Sequence, residues 1–368
     1  MEMALYYPDY GYYTKDSSKI GKAGDFYTSP HLHAIFGSMI GKQLIEMWEF
    51  MGRPDSFRVV EMGAGMGYLA KDILEYLKAL SVERQASSGG HQQKARKRGA
   101  RGLFECLEYT IVELNPSFKA MQQTMLKAFQ DKVSWAGNMK ELGPVKGCFL
   151  SNELLDAFPV RMLEMDDELM EVCVSSQDGE LVEMKIPCSD EVSEYLRSFS
   201  VELPKGYRTE VNLKIKDWLQ EVNDSLTEGF VLTIDYGYSA SDYYSEDRSS
   251  GTLLCYYQHQ MNEDPYQNIG DQDLTAHVNF SSLKKWGEGL GLKTIGFCPQ
   301  GTYLVSLGID EVITELYGNS PDTFEVAKIK GLILPQGMGV SHNVMVQYKG
   351  EGRPELKGFS LRNHMGRL

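Results

Sequence analysis

The sequence predicts a doubly wound α/β fold: a mostly parallel seven-stranded sheet with added helices and hairpins. Three observations carry this. Short apolar runs alternate with helix-spaced segments at the interval of a strand–helix–strand unit. A glycine-rich turn, Gly63-Ala64-Gly65-Met66-Gly67, follows the first of those runs, and an acid, Glu113, ends the second. In open sheets of this kind ligands sit beyond the carboxyl ends of the strands, where both features fall.

Residues 1–57 read as a helical and lid-forming preface. Tyr6 to Tyr13 is aromatic and turn-rich, and Gly21 to Pro30 is a glycine-bearing loop. Apolar residues at Ile35, Met39, Ile40, Leu44, Met47 and Trp48 recur at helical spacing, so Ala34 to Met51 is an amphipathic helix, stopped by Gly52-Arg53-Pro54. Residues 58–159 form the first half of the sheet. Strands are expected at Phe57 to Met62, Glu108 to Glu113, Lys132 to Ala136 and Gly147 to Ser151. Helices are expected at Tyr68 to Leu80 and Pro116 to Phe129. Residues 81–105 interrupt the pattern, and their basic, glycine-rich composition predicts a flexible insertion.

Residues 160–228 read as a hairpin and helical elaboration, strand-like to Lys185 and mainly helical from Ser189 to Leu226. Residues 229–349 complete the sheet with strands at Gly229 to Asp235, Lys293 to Cys298 and His342 to Tyr348. They also carry a helix, Ser281 to Leu290, and an inserted substrate-facing segment, 236–280. The tail, 350–368, is expected to be loose.

Composition narrows the function. Of the 368 residues, 42% are hydrophobic and 24% charged, the balance of an ordinary globular chain. A formal net charge of -14 repels phosphate at long range, so nucleic acid is not an expected partner and a cationic substrate suits the protein better. No apolar run is long enough to span a bilayer. The six cysteines are scattered without a C-x-x-C pair, which points to a reducing compartment. His31 and His33 lack a third ligand, and no metal is expected. Met1 leads straight into Ala4-Leu5-Tyr6-Tyr7, so a leader or first helix is expected ahead of it.

The glycine turn has the spacing G-x-G-x-G, not the G-x-G-x-x-G of a dinucleotide site, and Glu61 stands two positions before its first glycine. This resembles the first motif of class I S-adenosylmethionine (SAM) methyltransferases. SAM carries an ammonium and a sulfonium and no pyrophosphate. Glu61, Gly63, Ala64, Gly65 and Gly67 are therefore candidates for holding it, with Glu61 complementing its cationic end. Glu113, beside Leu114, can accept hydrogen bonds from both ribose hydroxyls. Asn138 and Met139 are placed to flank an adenine, and Asp25 and Thr28 belong to a loop able to fold over the cofactor. The plain alternative for each is a strand-ending acid or an ordinary loop.

Chemistry is expected after the fourth strand, in Ser151-Asn152-Glu153-Leu154-Leu155-Asp156. Asn152 can orient cofactor or substrate, and Glu153 and Asp156 can hold a cationic acceptor. The alternative is a helix cap with acids in the first turn. Glu210 and Asp235 stand in reserve as further carboxylates, and His277 as a general base.

Five motifs occur in order: Gly24-Asp25-Phe26 with Thr28 and Pro30, Glu61-x-Gly63-Ala64-Gly65-x-Gly67, Asn152-Glu153-x-x-Asp156-Ala157-x-Pro159, Ile234-Asp235-Tyr236-Gly237, and Thr275-x-His277-Val278-Asn279-Phe280. Together they resemble the MidA family of SAM-dependent methyltransferases, from about residue 5 to about residue 350. The resemblance implies methyl transfer. For the mitochondrial branch it implies symmetric dimethylation of arginine on a respiratory complex I subunit, in the service of that complex's assembly. A eukaryotic chain would then work in the mitochondrial matrix and a bacterial one in the cytoplasm. The extra helices and hairpins leave room for a homodimer. The sequence departs from the family in its long insertion at 81–105 and its short beginning. Two other readings stay open: a non-enzymatic assembly factor on a SAM-binding scaffold, and a small-molecule methyltransferase. An NAD-dependent oxidoreductase is disfavoured by the glycine spacing.

Overall fold

The strands β1 (Phe57–Met62), β2 (Leu107–Val112), β3 (Val133–Ala136), β4 (Val145–Asn152), β5 (Leu226–Tyr238), β6 (Lys293–Pro299) and β7 (His342–Lys349) form one sheet in the order β6-β7-β5-β4-β1-β2-β3. The computed structural model describes residues 1–15, 28–87, 102–318 and 322–368. β1 to β5 run parallel. β7 is antiparallel to both β5 and β6. An eighth short strand, Val278–Asn279, adds in parallel to Gly237 and Tyr238 at the end of β5.

Consecutive residues of a strand point to opposite faces, and here both faces are buried. Val59 packs with Phe36, Met39, Ile73 and Leu77, from helices α1 (Ile35–Phe50) and α2 (Tyr68–Ser87). Its neighbour Val60 packs with Phe149, Trp218, Leu219 and Leu283, the last three carried by α3 (Lys214–Ser225) and α4 (Phe280–Gly289) on the opposite face. Each fully buried aliphatic side chain of this kind contributes roughly 1.5–3 kcal/mol. The unbroken apolar strands thus account for the two-faced architecture.

The additions build the rim. Residues 160–211 include a four-stranded antiparallel sheet of Glu180–Pro187, Leu169–Gln177, Arg161–Met165 and Arg208–Val211. The stretch from Ser189 to Leu226, expected to be mainly helical with a turn at Pro204-Lys205-Gly206, holds two helices, Asp190–Arg197 and Lys214–Ser225, around the strand Arg208–Val211. That strand forms by pairing with Arg161–Met165, a partner too far back in sequence for local periodicity to announce. Segment 236–280 contains a small sheet of Leu254–Tyr257, Gln260–Asn262 and Asp273–Thr275. Leu5 and Tyr12 bury themselves against Cys255 and Leu274 of that sheet, so the chain's beginning closes over it. Four helices between Gln300 and Ser341 bridge β6 and β7.

Two expectations need correction. The ends of the expected insertion at 81–105 are structured: α2 continues to Ser87, Leu103–Cys106 is helical, and the Ser81 hydroxyl donates to Glu105. Residues 88–101 lie outside the described residues. The tail is not loose. Leu356 and Phe359 are buried, and the Phe359 ring lies on Gly296, where a Cβ would collide with it. Asn363 accepts from Phe297 N (3.2 Å) and donates to Ile295 O (3.1 Å). These anchors are isolated side chains without a period, which is why the sequence concealed them.

Candidate active site

Two turns at the carboxyl end of the sheet frame the site. The first follows β1. Gly63, Gly65 and Gly67 all take positive φ, at 69°, 52° and 84°. A Cβ on Gly63 would lie 2.8 Å from Leu154 Cδ1 of the second turn, whereas one on Gly65 would meet nothing within 4 Å. Glu61 is only 3% exposed and accepts a hydrogen bond from the Tyr109 hydroxyl (2.8 Å). Burial pushes its carboxyl up to about 7, against the Tyr109 bond and with a smaller push from Glu113. Glu113 accepts from Asn115 N (2.9 Å) and from Gln122 Nε2 (2.8 Å), and its carboxyl is raised mainly by burial. Gln122, which the sequence reading missed, also donates to Gly65 O (2.8 Å) and so ties the glycine turn to the acid at the end of β2.

The other residues expected around a cofactor are more dispersed. Leu114 is 74% exposed. Asn138 accepts from Lys140 N (3.0 Å) and donates to Glu141 (2.8 Å), while the Met139 side chain is buried with Val112 and Ala136. Thr28 Oγ1 lies 2.6 Å from His31 Nδ1, and the His31 ring stands edge-on to Tyr68. Asp25 lies outside the described residues.

The second turn follows β4. Glu153 has φ of 49°, a left-handed conformation that costs a non-glycine residue on the order of 1 kcal/mol. Asp235, fully buried at the end of β5, holds it there. Its Oδ2 accepts from Leu154 N (3.2 Å) and Leu155 N (2.9 Å), and its Oδ1 accepts from Tyr236 N (2.9 Å). Glu153 N in turn donates to Ile234 O (2.9 Å). Burial lifts the Asp235 carboxyl to about 7 despite these bonds. Glu153 Oε1 accepts from Ser29 N (3.2 Å) and Asn152 Nδ2 (3.1 Å), and Oε2 makes a long contact with the Tyr236 hydroxyl (3.5 Å). Asn152 Oδ1 is buried with no hydrogen-bond partner.

Beyond this turn opens a cavity of about 410 Å³. Three carboxylates line it, Glu153, Asp156 and Asp273, and no lysine or arginine does among the described residues. Tyr13, Tyr236, Tyr256 and His277 supply aromatic walls. The Tyr13 hydroxyl donates to Asp273 Oδ1 (2.8 Å), so the chain's beginning forms part of the wall. Burial, then the neighbouring Asp235, Glu153 and Asp273 charges, hold the Asp156 proton well above the usual carboxylate range. His277 stacks on Tyr236 (centroids 6.1 Å apart, 7° between planes), and burial pushes its imidazole down to about 4. It is therefore neutral at physiological pH, with Nδ1 buried and without a hydrogen-bond partner.

Of the expected chemical residues, Glu153, Asp156 and His277 come together on this cavity. Asp235 does not line it; it sits behind Glu153. Glu210 is not at the cavity either. It is fully buried and bonded by the Tyr243 hydroxyl (2.7 Å), Thr252 N (2.9 Å) and the Thr252 hydroxyl. These donors occupy its carboxylate in joining Arg208–Val211 to the segment after β5, so it is not offered to an acceptor. Asp273 and Tyr13 were missed. Each reaches the cavity through a long-range contact that no local spacing announces.

Residues 39–298 match the model of a family described as "Putative S-adenosyl-L-methionine-dependent methyltransferase". The chain belongs to this methyltransferase family. It is 25% identical over 354 residues to a Rattus norvegicus protein named mitochondrial protein arginine methyltransferase NDUFAF7, covering 92% of this chain and 77% of that one. A Drosophila melanogaster homologue of the same name is also 25% identical, over 95% of this chain and 80% of its own. A Burkholderia thailandensis crystal structure, bound to S-adenosyl-homocysteine, superposes with a TM-score of 0.85 at 29% identity, covering 100% of this chain and 90% of that one. The methyltransferase depends on SAM, and its own residues fit that cofactor. The glycine turn leaves open space over Gly65, Glu113 presents a carboxylate at the end of β2, and Asn152 Oδ1 is an orphan acceptor between the two turns. No helix among the described residues is long and apolar enough to cross a membrane.

Proposed function

We propose that this methyltransferase methylates arginine side chains of a protein. One observation carries the reading: Glu153, Asp156 and Asp273 share a cavity that no lysine or arginine lines among the described residues. Carboxylates gathered on such a cavity suit a cationic acceptor. A guanidinium is planar, permanently charged and has five donors, which suits carboxylates set between flat aromatic walls. The names of the relatives agree.

SAM, when bound, supplies an electrophilic methyl group. The glycine turn at 63–67, with Glu61, Glu113 and Asn152, would hold it, and Asn138, Met139 and Thr28 would flank its nucleoside. Glu153 and Asp156 pair with the guanidinium and draw its charge away from the attacking nitrogen. Holding the acceptor in line supplies much of the rate. One of the two acids takes the proton that nitrogen gives up. Neutral His277 and the tyrosines exclude water.

Subunits of respiratory complex I are the first substrates to test, in the mitochondrial matrix for a eukaryotic chain and the cytoplasm for a bacterial one, with symmetric dimethylarginine as product. A homodimer is the assembly to look for by light scattering. The test is transfer of labelled methyl from SAM into complex I subunits, read by mass spectrometry. Label on arginine supports the reading. Label only on small molecules, or none, rejects it.

A further inference from the structure

His342 begins β7, and its side chain is only 1% exposed. Its ring packs on Tyr236 with centroids 4.0 Å apart, and the two residues are register partners across β5 and β7. Ser341 Oγ lies 3.1 Å from His342 Nδ1. The other ring nitrogen, Nε2, is buried with no hydrogen-bond partner among the described residues and faces Glu153 Oε1 at 3.7 Å. A buried polar atom without a partner is costly, so its placement beside a carboxylate at the cavity calls for a reason.

The two oxygens of Glu153 are treated differently. Oε1 faces Ser29 N, Asn152 Nδ2 and His342 Nε2, while Oε2 faces the Tyr236 hydroxyl alone, at 3.5 Å. If Ser341 donates to Nδ1, the imidazole proton sits on Nε2 and points at Oε1. We infer that His342 is a positioning residue for methyl transfer: through Nε2–H it completes the grip on Glu153 Oε1 and leaves Oε2 to the acceptor cation. The gap of 3.7 Å is loose for a hydrogen bond, and such contacts tighten when substrate fills a site. This deepens the proposed arginine reading by naming what orients its central acid.

Two variants separate positioning from packing. His342→Phe keeps a ring against Tyr236 and removes the N–H; His342→Gln keeps an N–H near Nε2. With SAM and an arginine peptide, His342→Phe should lower kcat roughly 10- to 100-fold, the loss of one hydrogen bond to a charged group, with KM little changed. His342→Gln should restore most of that rate, and His342→Phe should add no further loss on top of Glu153→Gln. Wild-type kcat in His342→Phe, or equal losses in both variants, overturns the assignment. An arm independent of turnover uses imidazole nitrogen NMR on the wild-type chain. A proton on Nε2, with a resonance that moves in Glu153→Gln, supports the assignment; a proton on Nδ1, unmoved by that change, overturns it. Should the wild type move no methyl to arginine, the substrate reading falls while this spectrum still decides the role of His342.

Discussion

The turns after β1 and β4 do similar work by different means. Both put positive φ at the edge of the sheet and touch through Gly63 and Leu154. The first takes that conformation on glycines, which bear it without strain. The second takes it on Glu153, and Asp235, more than eighty residues away, holds it by accepting from Leu154, Leu155 and Tyr236. One turn is encoded locally and the other by a distant partner. A conformation that must expose a functional side chain cannot be given to glycine.

The largest effect expected of this contrast is on chemistry. Glu153→Gln and Asp156→Asn should each lower methyl transfer about a thousandfold or more while SAM affinity, measured by calorimetry, stays within a few-fold. Parallel loss of SAM binding would merge the two turns into one function. Next, Asp235→Ala removes an acceptor serving three backbone amides, at a cost of about 2–4 kcal/mol in unfolding free energy and a matching collapse of activity. Wild-type stability by denaturant titration would mean that the turn holds itself.

The contrast was only half legible in the sequence. The seven strands were readable because they are short apolar runs, most of them buried on both faces, and the glycine turn because its residue types announce its backbone. Glu153 and Asp156 were found from their place after β4, where charge follows an apolar run. Asp235 was noticed as an acid and held in reserve to pair with the acceptor, since nothing local reveals that its oxygens are occupied. Glu210 misled for the same reason. Asp273, Tyr13 and His342 were invisible because strand pairings and the closure of residues 1–15 bring them in.

Smaller effects sharpen the comparison. Asp156 holds its proton well above the usual range in the free cavity, and a bound cation favours the ionised form. Binding of an arginine peptide should therefore release protons, and affinity should rise with pH, by at most about tenfold per unit, until Asp156 ionises unaided. Calorimetry in buffers of different ionisation enthalpy measures the release; proton uptake would reverse the sign. Smallest is the difference between two glycines. Gly65→Ala meets open space and should cost only its backbone strain, about 1 kcal/mol. Gly63→Ala adds a collision with Leu154 and should exceed it by roughly 1 kcal/mol. Equal melting shifts would uncouple the turns.

The most direct trial is a matched pair of peptides, identical but for arginine or lysine at one position, given to the wild-type enzyme with labelled SAM. Carboxylates gathered between flat walls predict label on the guanidinium nitrogens and a kcat/KM for arginine at least about a hundredfold above that for lysine. Equal transfer to both peptides, or transfer to lysine alone, would contradict it.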